Sequence, residues 1–197
     1  IEATKVAHIL IERYGIQVGD RVAISMRNYP EWILTFMAIT SIGGVAVAMN
    51  SLWKPEEMSY GLRDSGAKLL IADEERIDRF NQIEEKLDIA IISVRAVKEH
   101  PYGSLEALLE QATDTDMPDQ KPLPESDATI LYTSGSTGHP KGVVSCHVNI
   151  IHALLGWELE QHCAVALLDE PPPEPPDSPA TLLAVPLFHA TGSHAVY

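Results

Sequence analysis

The chain has 197 residues, of which 45% are hydrophobic and 21% charged, a composition that is typical of globular proteins and excludes a disordered or collagen-like chain. Its 28 acidic and 14 basic side chains give a net charge of −14, which argues against nucleic acid or an anionic membrane as a partner. The two cysteines form no CxxC pair and no signal peptide is visible, so we predict a cytoplasmic protein.

Short apolar runs alternate with amphipathic segments along the first half of the sequence. Helices are predicted over residues 4–14, 28–42, 55–65 and 74–86, and strands over residues 21–26, 45–49, 68–72 and 89–94. This alternation predicts the α/β class, as a doubly wound, mostly parallel sheet with flanking helices.

One uncharged stretch tests whether the chain enters a membrane. Residues 32–53 carry no charge over 22 positions, which is long enough to span a bilayer. Gly43 and Gly44 divide the stretch into a helix and a short strand, and residues 28–31 (Asn-Tyr-Pro-Glu) match a capping box with an early proline. We therefore predict a soluble helix and no integral membrane span.

The second half of the chain is strongly acidic and contains two predicted surface loops. Residues 99–197 hold 14 acidic side chains and two cations, Lys121 and Lys141. The polar segment 111–127 and the proline-rich segment 170–179 are predicted loops, and the second is also compatible with a polyproline ligand for a partner protein. Further predicted elements are a strand over 128–132, a helix from about 142 to 160 and a strand over 181–185.

Residues 132–142 read YTSGSTGHPKG, a glycine- and hydroxyl-rich segment with one lysine. Glycines permit sharp turns and close approach to a ligand, and consecutive backbone N–H groups form an anion site that the predicted following helix would strengthen. The segment is neither a Walker A loop, since Gly142 follows Lys141, nor a GxGxxG fingerprint. Composition alone leaves two interpretations open, a polyphosphate cradle and a flexible Ser/Gly turn.

The histidine spacing does not predict a metal site. His147 and His152 are five residues apart, as are His189 and His194. Metal-binding pairs on a helix are three or four residues apart, because those side chains share a face. We therefore predict no metal-binding residues.

The segment YTSGSTGHPKG closely resembles the signature loop of the adenylate-forming (AMP-binding) superfamily, which includes acyl-CoA synthetases, luciferases and peptide-synthetase adenylation domains. Every fixed position of that signature is matched. Upstream, GDRVAI (19–24) and DSGAK (64–68) are similar to the amino-terminal region of the same family, and downstream VPLFHATG (185–192) is similar to its next motif. The resemblance extends over the whole chain, in the same order and spacing.

The resemblance implies a two-step ligase. A carboxylate attacks the α-phosphorus of ATP to give an acyl-adenylate and pyrophosphate, and coenzyme A then accepts the acyl group. By the family pattern, Mg²⁺ accompanies ATP, Lys141 and His189 act in catalysis, and His189 lies beside the carboxylate. The residues that the pattern assigns to the β and γ phosphates are Thr133, Ser134, Gly135, Ser136, Thr137, Gly138 and Lys141.

The family's later adenine, ribose and magnesium motifs and its carboxy-terminal domain do not occur in this sequence. We therefore expect residues 1–197 to be a partial amino-terminal ATP/AMP-binding domain, inactive alone and prone to self-association through its truncated faces. A fatty acid is the favoured substrate of the parent protein. The alternatives are a ligase for aryl or amino acids, and a non-catalytic nucleotide-binding or interaction module.

Overall fold

The computed structural model describes residues 1–133, 138–168, 178, 180 and 182–194. The strands are β1 (Arg21–Ser25), β2 (Val45–Ala48), β3 (Leu69–Asp73), β4 (Ala90–Val94), β5 (Gly103–Ser104), β6 (Asp127–Thr133) and β7 (Lys141–Cys146). The helices are α1 (Glu2–Glu12), α2 (Pro30–Ser41), α3 (Pro55–Ser65), α4 (Glu74–Phe80), α5 (Leu105–Gln111), α6 (His147–Ala166) and α7 (Ala190–His194).

The strands form one sheet in the order β5-β4-β3-β1-β2-β6-β7. Every pairing among the first six strands of that order is parallel, and only β7 runs antiparallel, against β6. The predicted mostly parallel sheet with flanking helices is therefore confirmed.

Both faces of the sheet are covered, which explains why its central strands are apolar without alternation. In β1, Val22 and Ile24 pack into a cluster with side chains of α1, α2 and α5. Ala23, between them, packs into a second cluster with side chains of α3 and α4. The same alternation continues in β2 and β3, so the helices are divided between the two faces as expected of a doubly wound sheet.

The prediction of a helix from about residue 142 is wrong. Residues 141–146 form β7, in which Val143 pairs with Leu131 and Val144 with Ile130 of β6. β-Branched residues favour strands, and this preference prevailed over the helical pattern that follows. Helix α6 begins at His147, about 20 Å along the strand from Lys141 by the usual rise per residue. The start of α6 therefore does not strengthen the glycine-rich loop, contrary to the prediction.

Two further predictions fail around Asn28. Tyr29, not Asn28, is the N-cap residue of α2, and no side chain caps that helix. Asn28 instead donates to the Val185 carbonyl oxygen and accepts the Leu187 backbone N–H, each at 2.9 Å. Residues 182–185 are not a strand, and the Val185 carbonyl accepts from a side chain rather than from a neighbouring strand. Thr181 and most of the segment 170–179 lie outside the described residues.

Several boundaries differ from the predicted ones. Helix α4 ends at Phe80 rather than at residue 86, and β5 and α5 were not predicted. Residues 112–126 connect α5 to β6 without helix or strand. No helix in the described part of the chain is both long and apolar enough to cross a membrane.

Candidate functional site

Three neighbouring strands end at the same edge of the sheet and are followed by the segments that build the candidate site. β1, β2 and β6 are adjacent and parallel, so their carboxyl ends meet there. In the described part of the chain, the segments that follow them are residues 26–29, 49–54 and 138–140. In open α/β sheets, ligands bind in the crevice outside the carboxyl ends of the strands.

The glycine-rich segment is the loop of the hairpin formed by β6 and β7. Thr133 pairs with Lys141 across the base of this loop, and both side chains are exposed. Gly138 has φ +104°, a backbone conformation that favours glycine, and among the described residues other than its chain neighbours no atom lies within 4 Å of where its Cβ would be. Four of the predicted phosphate-binding residues lie outside the described residues: Ser134, Gly135, Ser136 and Thr137.

A cavity of about 330 Å³ lies between the hairpin loop and the segment after β2. The hairpin contributes Thr133 and Gly138, so the structure brings two of the predicted residues to one cavity. The full lining is Asn50, Leu52, Trp53, Glu57, Tyr132, Thr133, Gly138 and Pro140. We call it the hairpin cavity.

Tyr132 forms a fixed wall of the hairpin cavity. Its hydroxyl donates to Asp64 Oδ2 at 2.7 Å and approaches the Gly61 carbonyl at 3.2 Å, and its ring meets Trp53 edge-on at 5.2 Å between centroids. Burial, and then the hydrogen bond to Asp64, raise the pKa of Tyr132, so its hydroxyl stays protonated at neutral pH.

Two arginines hold the segment after β2 that forms the opposite wall. Arg76 is only 2% exposed and donates to the Ser51 carbonyl at 2.6 and 2.9 Å, while an ion pair with Asp73 at 3.2 Å compensates its charge. Arg79 donates to the carbonyls of Ser51 and Trp53. These charge-assisted bonds fix the backbone that presents Asn50 and Leu52 to the cavity.

His189 lies outside the hairpin cavity, near a second one. The second cavity, of about 390 Å³, is lined on one side by residues 27–29 and on the other by Ala184, Pro186 and Phe188. Leu52 lines both cavities, so the two are neighbours. We call the second one the Pro186 cavity.

The side chain of His189 is exposed, and its orientation is fixed locally. Its Nδ1 accepts the Thr191 backbone N–H at 3.3 Å, so in the neutral ring the proton is on Nε2. The turn that carries it depends on Gly192, because a Cβ there would overlap the Pro186 carbonyl oxygen. Asn28 anchors the same turn from α2's amino end.

The charges around the hairpin cavity fit a polyphosphate that carries a cation. Lys141 lies opposite Thr133 at the base of the hairpin and is not part of the cavity lining. Within the described part of the chain it has no ion pair, so its ammonium remains available to phosphate oxygens. Glu57 lines the same cavity and would repel a bare polyanion, whereas a magnesium–nucleotide complex lowers that repulsion.

Sequence reasoning missed several lining residues. Trp53 and Glu57 belong to no sequence motif, and only the fold brings them to the hairpin. Asp64 belongs to the segment DSGAK that supported the resemblance, yet its bond to Tyr132, 68 residues away, follows no sequence spacing.

The sequence model of the AMP-binding enzyme family matches residues 1–197, the whole chain. The chain belongs to this family. The family comprises adenylate-forming enzymes, and the similar curated proteins are CoA ligases.

Two curated relatives and one solved structure illustrate the similarity. The crotonobetaine/carnitine–CoA ligase of Citrobacter koseri is 33% identical over 157 residues, which are 77% of this chain and 30% of that protein. The 4-coumarate–CoA ligase 2 of Nicotiana tabacum is 28% identical over 142 residues, 72% of this chain and 26% of that protein. The N-terminal domain of FACL13 from Mycobacterium tuberculosis has a TM-score of 0.75 at 27% identity, covering 99% of this chain and 45% of that one.

These alignments also define how much of the relatives the chain represents. The matched part is 26 to 30% of the length of these two CoA ligases. The chain therefore spans about a third or less of the curated AMP-binding relatives that it matches.

Proposed function

We propose that the chain supplies the phosphate-binding part of an ATP-dependent ligase, which activates a carboxylic acid to an acyl-adenylate and transfers the acyl group to coenzyme A. The observation that carries this proposal is the β6–β7 hairpin, which presents Thr133, Gly138 and Lys141 at the carboxyl edge of the sheet. Positioning and neutralising phosphate oxygens is most of what such chemistry asks of a protein.

In this proposal the two cavities receive different parts of the substrates. The hairpin cavity receives the β and γ phosphates of magnesium–ATP, held by the loop's backbone N–H groups, its hydroxyls and Lys141. The Pro186 cavity, with His189 at its margin, receives the carboxylic acid, and the Nε2–H of His189 donates to the attacking carboxylate. Leu52, which lines both cavities, then lies between the bound β and γ phosphates and the carboxylic acid.

Pyrophosphate exchange tests the reaction type. We expect the parent protein to incorporate labelled pyrophosphate into ATP only when a carboxylic acid is present. Lys141→Ala should slow the exchange by about 10²-fold, the usual scale for one lost transition-state charge contact. Lys121→Ala is the matched control, since Lys121 is the other cation of the acidic half and pairs only with the exposed Asp119 among the described residues. Release of ADP and phosphate instead of pyrophosphate would contradict adenylation.

A fatty acid is our proposed substrate class, and an aryl acid is the second candidate. Two similar proteins support the aryl-acid candidate: the tobacco 4-coumarate–CoA ligase 2, and an anthranilate CoA ligase with a TM-score of 0.74 at 28% identity. Exchange rates measured with medium-chain, long-chain and aryl acids at equal concentration separate the two. A higher kcat/KM for aryl acids would replace the fatty-acid proposal and leave the reaction type intact.

We further propose that residues 1–197 alone do not turn over substrate and that the parent acts in the cytoplasm. The support for inactivity is that the segments expected to hold adenine and ribose do not occur in the printed sequence. Acyl-adenylate formation by the purified 197-residue chain would overturn it. This outcome would not affect the proposed reaction itself.

A further inference from the structure

Three side chains of types that can bind a metal ion lie close together outside the two cavities, in parts of the chain that carry none of the motifs described above. His8 and Glu12 lie one turn apart on α1, and Asp114 reaches them from the 112–126 connection. One ligand atom from each lies within 4.8 Å of the others, a combination found only here among the described residues. Histidine spacing could not reveal it, because Asp114 is more than a hundred residues from α1.

We propose that His8, Glu12 and Asp114 form a binding site for a divalent transition-metal ion of the zinc class. His8 Nδ1 lies 3.1 Å from Glu12 Oε1 and 3.9 Å from Asp114 Oδ1. Zinc binds nitrogen and oxygen ligands at about 2.0–2.2 Å, so neighbouring ligand atoms of a tetrahedral ion lie about 3.3–3.6 Å apart. The two observed separations bracket that range, so small side-chain rotations close the site.

The second nitrogen of His8 supports this assignment. Nε2 lies 3.0 Å from the Asp116 carbonyl oxygen, to which it donates. In the neutral imidazole, a proton on Nε2 leaves the lone pair on Nδ1, the atom that faces both carboxylates. A metal-binding histidine typically donates its other ring N–H to a carbonyl or carboxylate in this way, which fixes the ring's orientation.

The surroundings of the cluster supply negative charge and a cavity beside the three side chains. The ion pairs formed by Glu12 and Asp114 in the described structure are both with His8, and the nearby Arg13 guanidinium donates to Gln111 instead. A neutral His8 thus leaves two carboxylates without a compensating cation. The cluster lines a cavity of about 180 Å³, and His8 is the least exposed of its three residues, at 21%.

The ligand types favour zinc over the hard cations. Calcium and magnesium take oxygen ligands, whereas zinc accepts imidazole together with carboxylate. Three protein ligands leave a fourth position for water. A bound ion would link α1 to the connection that leads into β6, and so join the first helix to the strand that carries the hairpin.

Direct metal titration tests the site. We would treat the purified chain with a chelator, remove the chelator, and titrate it with ZnCl₂ by calorimetry and with CoCl₂ by visible absorption. We expect one equivalent of Zn²⁺ to bind, and intense four-coordinate Co²⁺ bands that Zn²⁺ abolishes. Absence of stoichiometric binding would mean that a protonated His8 paired with the two carboxylates is the whole function of the cluster, and would overturn the proposal.

Substitutions locate the binding. His8→Ala and Asp114→Asn should each weaken Zn²⁺ binding by about 10²-fold or more, on the scale of 10- to 100-fold for losing even an outer partner of a ligand. Asp116→Asn is the matched control, because only its backbone carbonyl meets His8. If His8→Ala fails to fold, Glu12→Gln and Asp114→Asn decide the question, since the Glu12 side chain is largely exposed and that of Asp114 is half-buried. Equal Zn²⁺ affinity in Asp114→Asn and Asp116→Asn would overturn the assignment.

Discussion

Several exposed residues of the candidate site are positioned by buried or bonded side chains elsewhere in the chain. Arg76 holds the Ser51 carbonyl beside Leu52, Asp64 holds the Tyr132 hydroxyl, and Asn28 holds the turn before His189. Each holding residue is 25 or more positions away from the segment it fixes. A motif therefore identifies the exposed residues, whereas their supports follow only from the fold.

His189 has a testable role at this scale. In the parent protein, His189→Ala should raise the KM for the carboxylic acid about tenfold or more, the scale of one lost charge-assisted hydrogen bond, and change the KM for ATP little. His189→Gln keeps a donor and should recover part of the loss. His162→Ala on α6 is the control, as an exposed histidine bonded only within its own helix. Equal losses for both substrates with a lower melting temperature would identify a structural histidine.

Asn28 makes the second prediction at this scale. Asn28→Ala removes both bonds to the Val185–Leu187 backbone, so the free energy of unfolding should fall by about 1–2 kcal/mol. Hydrogen exchange at the Leu187 amide should also become faster. Asn28→Asp keeps the acceptor for Leu187 N–H and loses the donor to Val185, so its effect should be smaller. An unchanged Leu187 exchange rate in Asn28→Ala would show that the clamp does not hold the turn.

At the scale of elements, the strands with a strong local sequence pattern were predicted well, whereas the pairing between β6 and β7 was not. The four strands within residues 21–94 were predicted within one residue at each end, because they are short apolar runs between turns. The antiparallel β7 was missed, since Val143 and Val144 precede a long helix and their partners lie on β6. The glycine-rich loop was recognised from the sequence. That a hairpin carries this loop, and not the start of a helix, follows only from the pairing of β6 with β7.

One ion pair links the starts of two neighbouring strands and predicts a pH dependence. Asp20 precedes β1 and Lys68 precedes β3, and their side chains meet at 2.7 Å. Burial alone raises the pKa of the Asp20 carboxyl, but the hydrogen bonds from Lys68 and the Gln17 N–H outweigh it and lower the pKa overall. The link should therefore stabilise the fold above the unfolded pKa of about 3.9, and lose its effect as the pH falls through the lower folded pKa.

Denaturation of an Asp20 variant measures this contribution. Asp20→Asn should lower the free energy of unfolding by about 1 kcal/mol at pH 7, since Lys68 is half exposed and solvent weakens the pair. The difference from the native sequence should shrink towards pH 3. Asp119→Asn, which affects only an exposed pair with Lys121, should show no comparable difference. A difference that is constant from pH 7 to pH 3 would refute the ionic origin.

At the scale of the whole molecule, the sequence alone predicted the fold class and the family, but it did not predict which residues surround the hairpin cavity. Alternating apolar and amphipathic segments specify a doubly wound sheet, and an unbroken signature specifies the family. The surroundings of the hairpin combine Asn50, Glu57 and Tyr132 from three elements, and no local pattern encodes such convergence. The His8 cluster was missed for the same physical reason.

The exposed apolar face of α6 predicts self-association. Helix α6 has 20 residues and buries none of them, and Ile151, Leu155 and Leu159 are at least half exposed along one face. Apolar patches beyond a few hundred Å² favour association, so we expect dimers or larger species at micromolar concentrations.

Sedimentation velocity over a concentration series tests this, with Leu155→Glu as the variant. Burying a half-exposed leucine contributes about 1–2 kcal/mol, so the substitution should raise the dissociation constant about tenfold or more. Val97→Glu is the matched control, because Val97 is exposed and lies between β4 and β5, at the opposite edge of the sheet from β7 and α6. It adds the same charge and should leave association nearly unchanged. A native chain that stays monomeric throughout, or equal effects of the two glutamates, would show that the α6 surface does not drive assembly.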